Sequence, residues 1–298
     1  MHIPDGFLTD PVCAATSAVA LAGLAAATVS AMRAPKIAPA LKVAAVAGGI
    51  FAAQMVNFPV AQGTSGHLIG AALATALLGP SLAILVIALV LIVQCGIFGD
   101  GGVYALGANI TNMAMVGVGI SQAVLWMGRK LQLNVPLAAA VAACVSVMVA
   151  AVTCAVELAA SGVQPLSVVL PAMLKIHLLI GVGEAMITAA AVAIVLSPKA
   201  SQAPRAAWIG IAAGLLVAAV LSPWASASPD GLEAVAEQLG FAERALTTFT
   251  APLPDYSTPH ITTEGLSTAI AGVVGTLLVI ASAVLFSQFK GLFLKSAL

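Results

Sequence analysis

Long apolar runs, separated by short polar stretches, follow one another along most of the 298-residue chain. Eight of these runs are long enough to cross a hydrocarbon layer about 30 Å thick. They lie at roughly 10–32, 43–58, 81–98, 106–128, 135–160, 172–196, 206–223 and 267–288. A ninth run, residues 67–79, is short and would form only about 20 Å of helix. The pattern predicts an all-α, polytopic membrane protein.

Composition supports this reading and limits the kinds of partner. Hydrophobic residues make up 61% of the chain and charged residues 7%, whereas about a quarter of an ordinary soluble domain is charged. The few charges do not cluster, so we expect a lipid bilayer and no nucleic acid as partner. Four cysteines lie inside apolar runs without a C-x-x-C pair: Cys13, Cys95, Cys144 and Cys154. We interpret them as small packing residues.

The basic residues decide the number of spans. If the short run 67–79 crosses and Met1 starts outside, most basic residues face the cytoplasm, as the positive-inside tendency requires. These residues are Arg33, Lys36, Lys42, Arg129, Lys130, Lys199, Arg205, Lys290 and Lys295. Only Lys175 and Arg244 then lie outside. We therefore expect about nine spans in the cell membrane, with an extracytoplasmic N-terminus and a cytoplasmic C-terminus.

The first six residues, Met1–Gly6, are a candidate metal chelate. The α-amine, the backbone nitrogen of His2 and the Nδ1 of its ring can close two chelate rings around one divalent ion, which leaves one in-plane position open. A planar set of nitrogens favours Ni(II) or Cu(II), whereas zinc prefers a tetrahedron. No Lys or Arg precedes the first apolar run, so we expect no cleaved signal and a retained Met1. A disordered terminus is the alternative interpretation.

A second histidine and several polar residues are candidates for completing this site. On the predicted topology His67 lies near the outer surface and opens the short third helix, with Thr64 or Ser65 as its cap. A merely interfacial or capping histidine is the alternative. Asp5 is expected to affect the fit of the N-terminal loop without donating to the metal.

Three further groups of residues have more than one interpretation. Asn109 and Asn112 share a helical face, where amides either join helices or orient a metal ligand. The intramembrane His177 and Glu184 also share a face, and we favour a buried hydrogen-bond network over a relay. The role of Glu157 stays open. Small residues repeat every four positions in the first span, as close helix docking requires, although packing within the chain is an equal alternative. They are Ala14, Ala18, Ala22 and Ala26.

Several stretches in combination resemble a known family. They are Met1–Gly6, Asn57–Val60 with Gly63–Leu68, Gly99–Gly102 with Ala108–Met113, and Gly181–Ala185. Over residues 1 to about 198 the chain resembles the CbiM/NikM family, the substrate-binding membrane subunit of energy-coupling factor transporters for nickel and cobalt.

The resemblance implies a seven-helix bundle whose N-terminal loop enters from outside. The amine of Met1, the amide and ring of His2 and the ring of His67 would surround the metal in one plane. Ni(II) or Co(II) would be the transported substrate, with no organic cofactor. The chain contains no G-x-x-x-x-G-K-[ST] motif, and the resemblance implies a separate coupling membrane subunit and cytoplasmic ATPases.

The last hundred residues, 199–298, are predicted to form an accessory unit of two spans joined by an outer loop at about 224–266. The run Ser228–Glu233 resembles the PDGLE motif of the two-span accessory subunit of the same transporters. Pro259 and His260 depart from that pattern where a glycine is expected. The two resemblances together imply that this chain fuses a binding subunit to a NikN-like accessory unit.

Two other function classes are less well supported by the sequence. A secondary transporter or channel for divalent metals would be expected to show an inverted repeat or a line of ionisable residues through the membrane. A membrane metalloenzyme would need a motif such as H-E-x-x-H and an open metal position for water, and the chain has no such motif. The sequence favours nickel over cobalt only slightly.

Overall fold

The computed structural model describes residues 1–34, 38–61, 63–197 and 205–296, with side chains as far as residue 287. The described part is mainly helical and contains one two-stranded ladder. The helices are α1 (Asp10–Arg33), α2 (Ala40–Gln54), α3 (Ala71–Leu78), α4 (Pro80–Phe98), α5 (Leu106–Lys130), α6 (Val135–Ala160), α7 (Leu166–Val195), α8 (Ala206–Trp224), α9 (Gly231–Gln238) and α10 (Glu264–Ser296). Lys36, Lys199 and the predicted domain boundary at 198/199 lie outside the described residues.

Seven of the described helices are long and apolar enough to cross a membrane: α1, α4, α5, α6, α7, α8 and α10. The prediction of a helical, polytopic chain is therefore confirmed. Helix α2 has 15 residues and α3 only eight, or about 22 Å and 12 Å of helix. The count of nine spans and the orientation of the termini accordingly stay predictions.

The predicted start of the third helix at His67 was wrong. Ser65 and Gly66 form strand β2, which pairs antiparallel with β1, Phe58–Pro59. Helix α3 begins at Ala71, after Gly70 in a left-handed conformation with φ of 79°. The backbone N–H groups of residues 69 and 70 donate to the carboxylate of Glu184. These tertiary bonds hold the segment around His67 extended.

Helices α8 and α10 of the accessory unit pack against α2, and α10 also contacts α4. Small residues permit this approach: a Cβ atom on Gly214 would lie 3.3 Å from the Cα of Gly49. Large apolar side chains such as Leu21, Met186 and Ile194 are more than 60% exposed on the outside of the described bundle, as lipid-facing positions would be. The four cysteines are free.

Two of the long helices contain π-helical turns next to the N-terminal loop. Helix α4 ends in such a turn at Gln94–Phe98, and α5 contains another at Ile110–Val116, directly after Asn109. π-Helical turns occur frequently at functional sites because they redirect side chains that a regular helix would point elsewhere. Gln94 and Asn109 both contact the first three residues of the chain.

Candidate metal centre

The first residues of the chain fold back into one end of the bundle. Met1 is 5% exposed, His2 9% and Ile3 0%. The side chain of Asn109 pairs with the backbone of Ile3: its Oδ1 accepts from the Ile3 N–H at 2.8 Å, and its Nδ2 donates to the Ile3 carbonyl at 3.1 Å. The N–H of Gly102 donates to the same carbonyl. The N-terminus is therefore a fixed part of the structure, and a disordered terminus is excluded.

Asp5 anchors the other end of this loop. Its carboxylate accepts three backbone N–H groups from residues 103–105 at 2.9–3.0 Å and the hydroxyl of Thr248. Its carbonyl accepts the N–H of Leu246 at 2.8 Å. The N-terminal loop is thus held between the loop that precedes α5 and the loop of the accessory unit. Asp5 places the loop without facing the histidines.

The amine of Met1 lies between an imidazole and a carboxylate. Its nitrogen is 2.7 Å from Nε2 of His67 and 2.6 Å from Oδ2 of Asp230. Nδ1 of His67 is 3.1 Å from the carbonyl of Leu68. Since a carbonyl only accepts, Nδ1 carries the proton and the lone pair of Nε2 points toward the amine.

The separation of these two nitrogens also suits a shared ion. Metal–imidazole bonds are about 2.0 Å long, so two nitrogens at neighbouring corners of a planar site lie about 2.8 Å apart. The predicted chelate puts the amine and the ring of His67 at neighbouring corners. The observed 2.7 Å is therefore compatible with a hydrogen bond and with joint coordination of one metal ion.

The ring of His2 lies almost parallel to that of His67, with centroids 4.9 Å apart. Its Nδ1 is 3.0 Å from Oδ1 of Asp100, and its Nε2 is 3.2 Å from Oε1 of Gln94. Tyr256 closes this group, since its hydroxyl donates to Asp100 at 2.6 Å and accepts from Gln94 at 3.1 Å. Chelation through Nδ1 of His2 therefore requires the ring to turn away from Asp100.

The acidic groups of the site each lie beside a basic group. Burial opposes ionisation of Asp230, but the adjacent ammonium of Met1 outweighs it and holds the pKa of this carboxyl well below its usual value. Burial likewise opposes ionisation of Asp100, and His2 outweighs it, which lowers the pKa of Asp100. Burial, and then the nearby ammonium, lower the pKa of His67. A neutral imidazole is the form that binds a metal.

The donor set suits a late divalent metal ion. Within the described ranges, no group of three or more His, Cys, Asp or Glu side chains is arranged to hold a metal. The available donors are instead the amine, a backbone nitrogen and the two imidazoles. Such nitrogens suit nickel, copper and cobalt better than magnesium or calcium, which take oxygen ligands.

Comparison with known proteins agrees with this donor chemistry. The CbiM family model, described as the cobalt uptake substrate-specific transmembrane region, matches residues 2–202. The PDGLE domain model matches residues 205–290. The chain belongs to the CbiM family. The resemblance seen in the sequence is thereby confirmed, and a CbiM-family chain with seven long apolar helices is a multi-pass membrane protein.

Two relatives of this CbiM-family chain match it over nearly its whole length. The putative fused nickel transport protein NikMN of Archaeoglobus fulgidus is 35% identical, and the match covers 94% of this chain and 96% of the relative. The fused nickel transport protein NikMN of Rhodobacter capsulatus is 32% identical, with 98% and 99% covered. A crystal structure of a truncated transition metal transporter matches with a TM-score of 0.61 and 32% identity, over 66% of this chain and 98% of that one.

Two residues predicted to support the metal site form hydrogen bonds with other partners in the CbiM-family chain. The hydroxyl of Ser65 donates to the carbonyl of Ser228 at 2.7 Å, so it caps no helix and joins the β2 strand to the accessory loop. Asn112 donates to Glu157 at 2.7 Å and joins α5 to α6. The shared helical face of the two asparagines therefore serves two functions: Asn109 places the N-terminal loop, and Asn112 joins helices.

His177 and Glu184 do not form the predicted network with each other. Glu184 accepts the N–H groups of Ile69 and Gly70 at 2.7 and 2.9 Å. Nδ1 of His177 is 2.8 Å from the carbonyl of Met173, and its Nε2 has no hydrogen-bond partner among the described residues. The two residues share a face of α7 but act on different neighbours. Glu184 supports the segment that carries His67.

Sequence reasoning missed four polar residues of the site. They are Gln94, Asp100, Asp230 and Tyr256. Asp100 and Asp230 occur in the glycine-containing runs Gly99–Gly102 and Ser228–Glu233, which the sequence analysis used only as family motifs. An acidic residue beside a glycine in a predicted outer loop was the available signal. Gln94 and Tyr256 carried no comparable signal.

Proposed function

We propose that this chain captures Ni(II) or Co(II) outside the cell and delivers it for ATP-driven import, as the substrate-specificity component of an energy-coupling factor transporter. The observation that carries the proposal is the buried amine of Met1, 2.7 Å from Nε2 of His67, whose ring stacks on the ring of His2. The amine, the amide of His2 and both imidazoles are the proposed ligands. Relatives named as nickel or cobalt transport proteins support it.

Nickel is the proposed preferred cargo. Nitrogen sites bind nickel more tightly than cobalt in the usual order of divalent metals. The two relatives that match over nearly the whole chain are named nickel transport proteins. A competition titration of the purified chain with both ions measures the preference directly.

The energy for import would come from other chains. We propose that a coupling membrane subunit docks on α1 and that cytoplasmic ATPases drive the cycle. Helix α1 supports this, because Ala14, Ala18, Ala22 and Ala26 are all exposed, whereas its buried residues lie on the opposite side. The accessory unit, residues 199–298, would belong to the metal-loading end through its outer loop.

The test replaces each proposed ligand in the full-length chain. His2→Asn and His67→Asn should each lower the affinity for Ni(II) by at least about 100-fold in calorimetry, since even partners outside the first coordination shell contribute 10–100-fold. His260→Asn is the matched control, because His260 is exposed in the accessory loop and has a φ of 68°, which Asn accepts. Unchanged affinity in either ligand variant would refute the proposed site.

Uptake in cells tests the energy source. With coupling subunit and ATPases present, import should stop when ATP is depleted and continue when only the membrane potential is dissipated. The reverse result would favour a secondary transporter. Both His variants should reach the membrane in normal amounts, because His2 and His67 both lie outside the helices.

A further inference from the structure

The accessory loop reaches the proposed metal ligands through one carboxylate. Asp230, the acidic residue of the Pro-Asp-Gly-Leu-Glu run, uses its two oxygens for different purposes. Oδ1 accepts the N–H groups of Leu232 and Glu233 and caps helix α9. Oδ2 lies 2.6 Å from the Met1 nitrogen and 3.7 Å from Nε2 of His67. Capping of α9 accounts for the contacts of Oδ1 but not for those of Oδ2.

The backbone around Asp230 is fixed to the segment that carries His67. The N–H of Ser65 donates to the carbonyl of Pro229 at 2.8 Å, and the N–H of Ser226 donates to the carbonyl of Asn57 at 2.8 Å. These bonds join the accessory loop to both sides of the β1–β2 ladder. Asp230 and His67 are consequently held in a fixed relation, although 163 positions separate them in the sequence.

The glycine after Asp230 makes this approach possible. A Cβ atom at Gly231 would lie 2.8 Å from Cδ1 of Ile180 and 2.9 Å from Cε1 of His177. Such distances are shorter than ordinary carbon–carbon contacts of about 3.5–4.0 Å. A larger residue at this position would therefore push the start of α9, and the carboxylate of Asp230 with it, away from the amine.

We propose that Asp230 is a positioning residue of the metal centre, which holds the Met1 amine so that its lone pair points at the metal ion. The inference rests on the proposed function, because it assumes that the amine is a ligand. An amine that donates its lone pair to a metal keeps two N–H groups, and Oδ2 of Asp230 accepts one of them. Carboxylates that accept N–H groups from metal ligands orient those ligands in many sites.

This assignment gives the accessory unit a direct part in metal binding. One oxygen of Asp230 is fixed by α9, so the position of the other oxygen follows the position of the accessory loop. The Pro-Asp-Gly-Leu-Glu run then couples the accessory loop to the geometry of the N-terminal chelate. A loop that only covered the bundle would need no carboxylate at the amine.

The test uses two substitutions that keep the cap of α9. Asn and Ser are both good N-cap residues, but Asp230→Asn places a neutral amide at the amine, and Asp230→Ser is too short to reach it. Each variant of the full-length chain should bind Ni(II) about 10–100-fold more weakly in calorimetry. The visible absorption spectrum of Ni(II) at saturation should also shift, because the amine no longer has its fixed orientation.

Glu233→Gln is the matched control, since it removes a charge from the same capping box without touching the amine. It should keep wild-type affinity and spectrum. Wild-type behaviour of both Asp230 variants would overturn the inference. An equal loss in Glu233→Gln, together with equally lowered thermal stability without metal, would also overturn it and leave only the capping role. His67→Asn separates the two proposals: if that variant keeps wild-type affinity for Ni(II), the proposed function itself fails.

Discussion

An N-terminal extension of several residues before Met1 should abolish high-affinity metal binding. The Met1 nitrogen lies 2.6 Å from Asp230 and 2.7 Å from His67 in a buried position. The added residues convert this nitrogen into a neutral peptide N–H, which can bind a metal only after it loses its proton. They also leave the carboxylate of Asp230, which is 9% exposed, without its cation.

The magnitude follows from these contacts. Removing one partner of a buried ion pair costs about 3–5 kcal/mol. The N-terminal loop can avoid this cost by moving out of the bundle. The apparent affinity for Ni(II) then falls in proportion to the fraction of molecules in which the loop stays inserted. A cost of 3 kcal/mol already corresponds to about 100-fold in affinity. The lost amine donor adds to this reduction.

The assay compares two full-length proteins with the same added residues at opposite ends. A C-terminal tag should leave binding unchanged, because α10 begins at the end of the accessory loop and its 33 residues extend about 50 Å away from it. Calorimetry with Ni(II) gives the affinity, and uptake is measured at equal membrane abundance. Equal affinity of the two proteins would refute the role of the amine and leave the helical fold unaffected.

Two further predictions follow from the loop and from α1. Asp5→Ala removes the acceptor of three backbone N–H groups and one hydroxyl. Because unsatisfied buried donors cost about 1–3 kcal/mol each, Ni(II) affinity should fall at least about tenfold. An unchanged calorimetric titration would show that the loop needs no such anchor. Ala22→Leu should reduce co-purification of the coupling subunit while Ni(II) affinity is kept, because a larger side chain prevents close helix approach. Ala190→Leu, at an exposed position of α7, is the control, and equal co-purification of both variants would place the docking surface elsewhere.

The sequence predicted the helical membrane class because each spanning helix satisfies its own backbone hydrogen bonds, which makes length and apolarity sufficient evidence. The prediction from sequence was less accurate where the backbone of a segment forms its hydrogen bonds with residues distant in the sequence. His67 was expected to open a helix, but Ile69 and Gly70 donate to Glu184, and Ser65 and Gly66 pair with β1. Nothing local in residues 64–70 indicates these partners.

The proposed metal ligands also divide into residues that the sequence identified and residues that only the structure brought together. Met1 and His2 are adjacent in the sequence, so their chelating capacity follows from covalent geometry alone. The placement of His67 beside the amine depended on a family resemblance, and the structure supplies the distance. Asp100 lies 98 positions from His2, Asp230 lies 229 positions from Met1, and Tyr256 lies 156 positions from Asp100. Only the tertiary structure decides such contacts, because residues this far apart meet through helix packing and loop closure. The identity of the contacting residues alone does not predict how the helices pack or how the loops close.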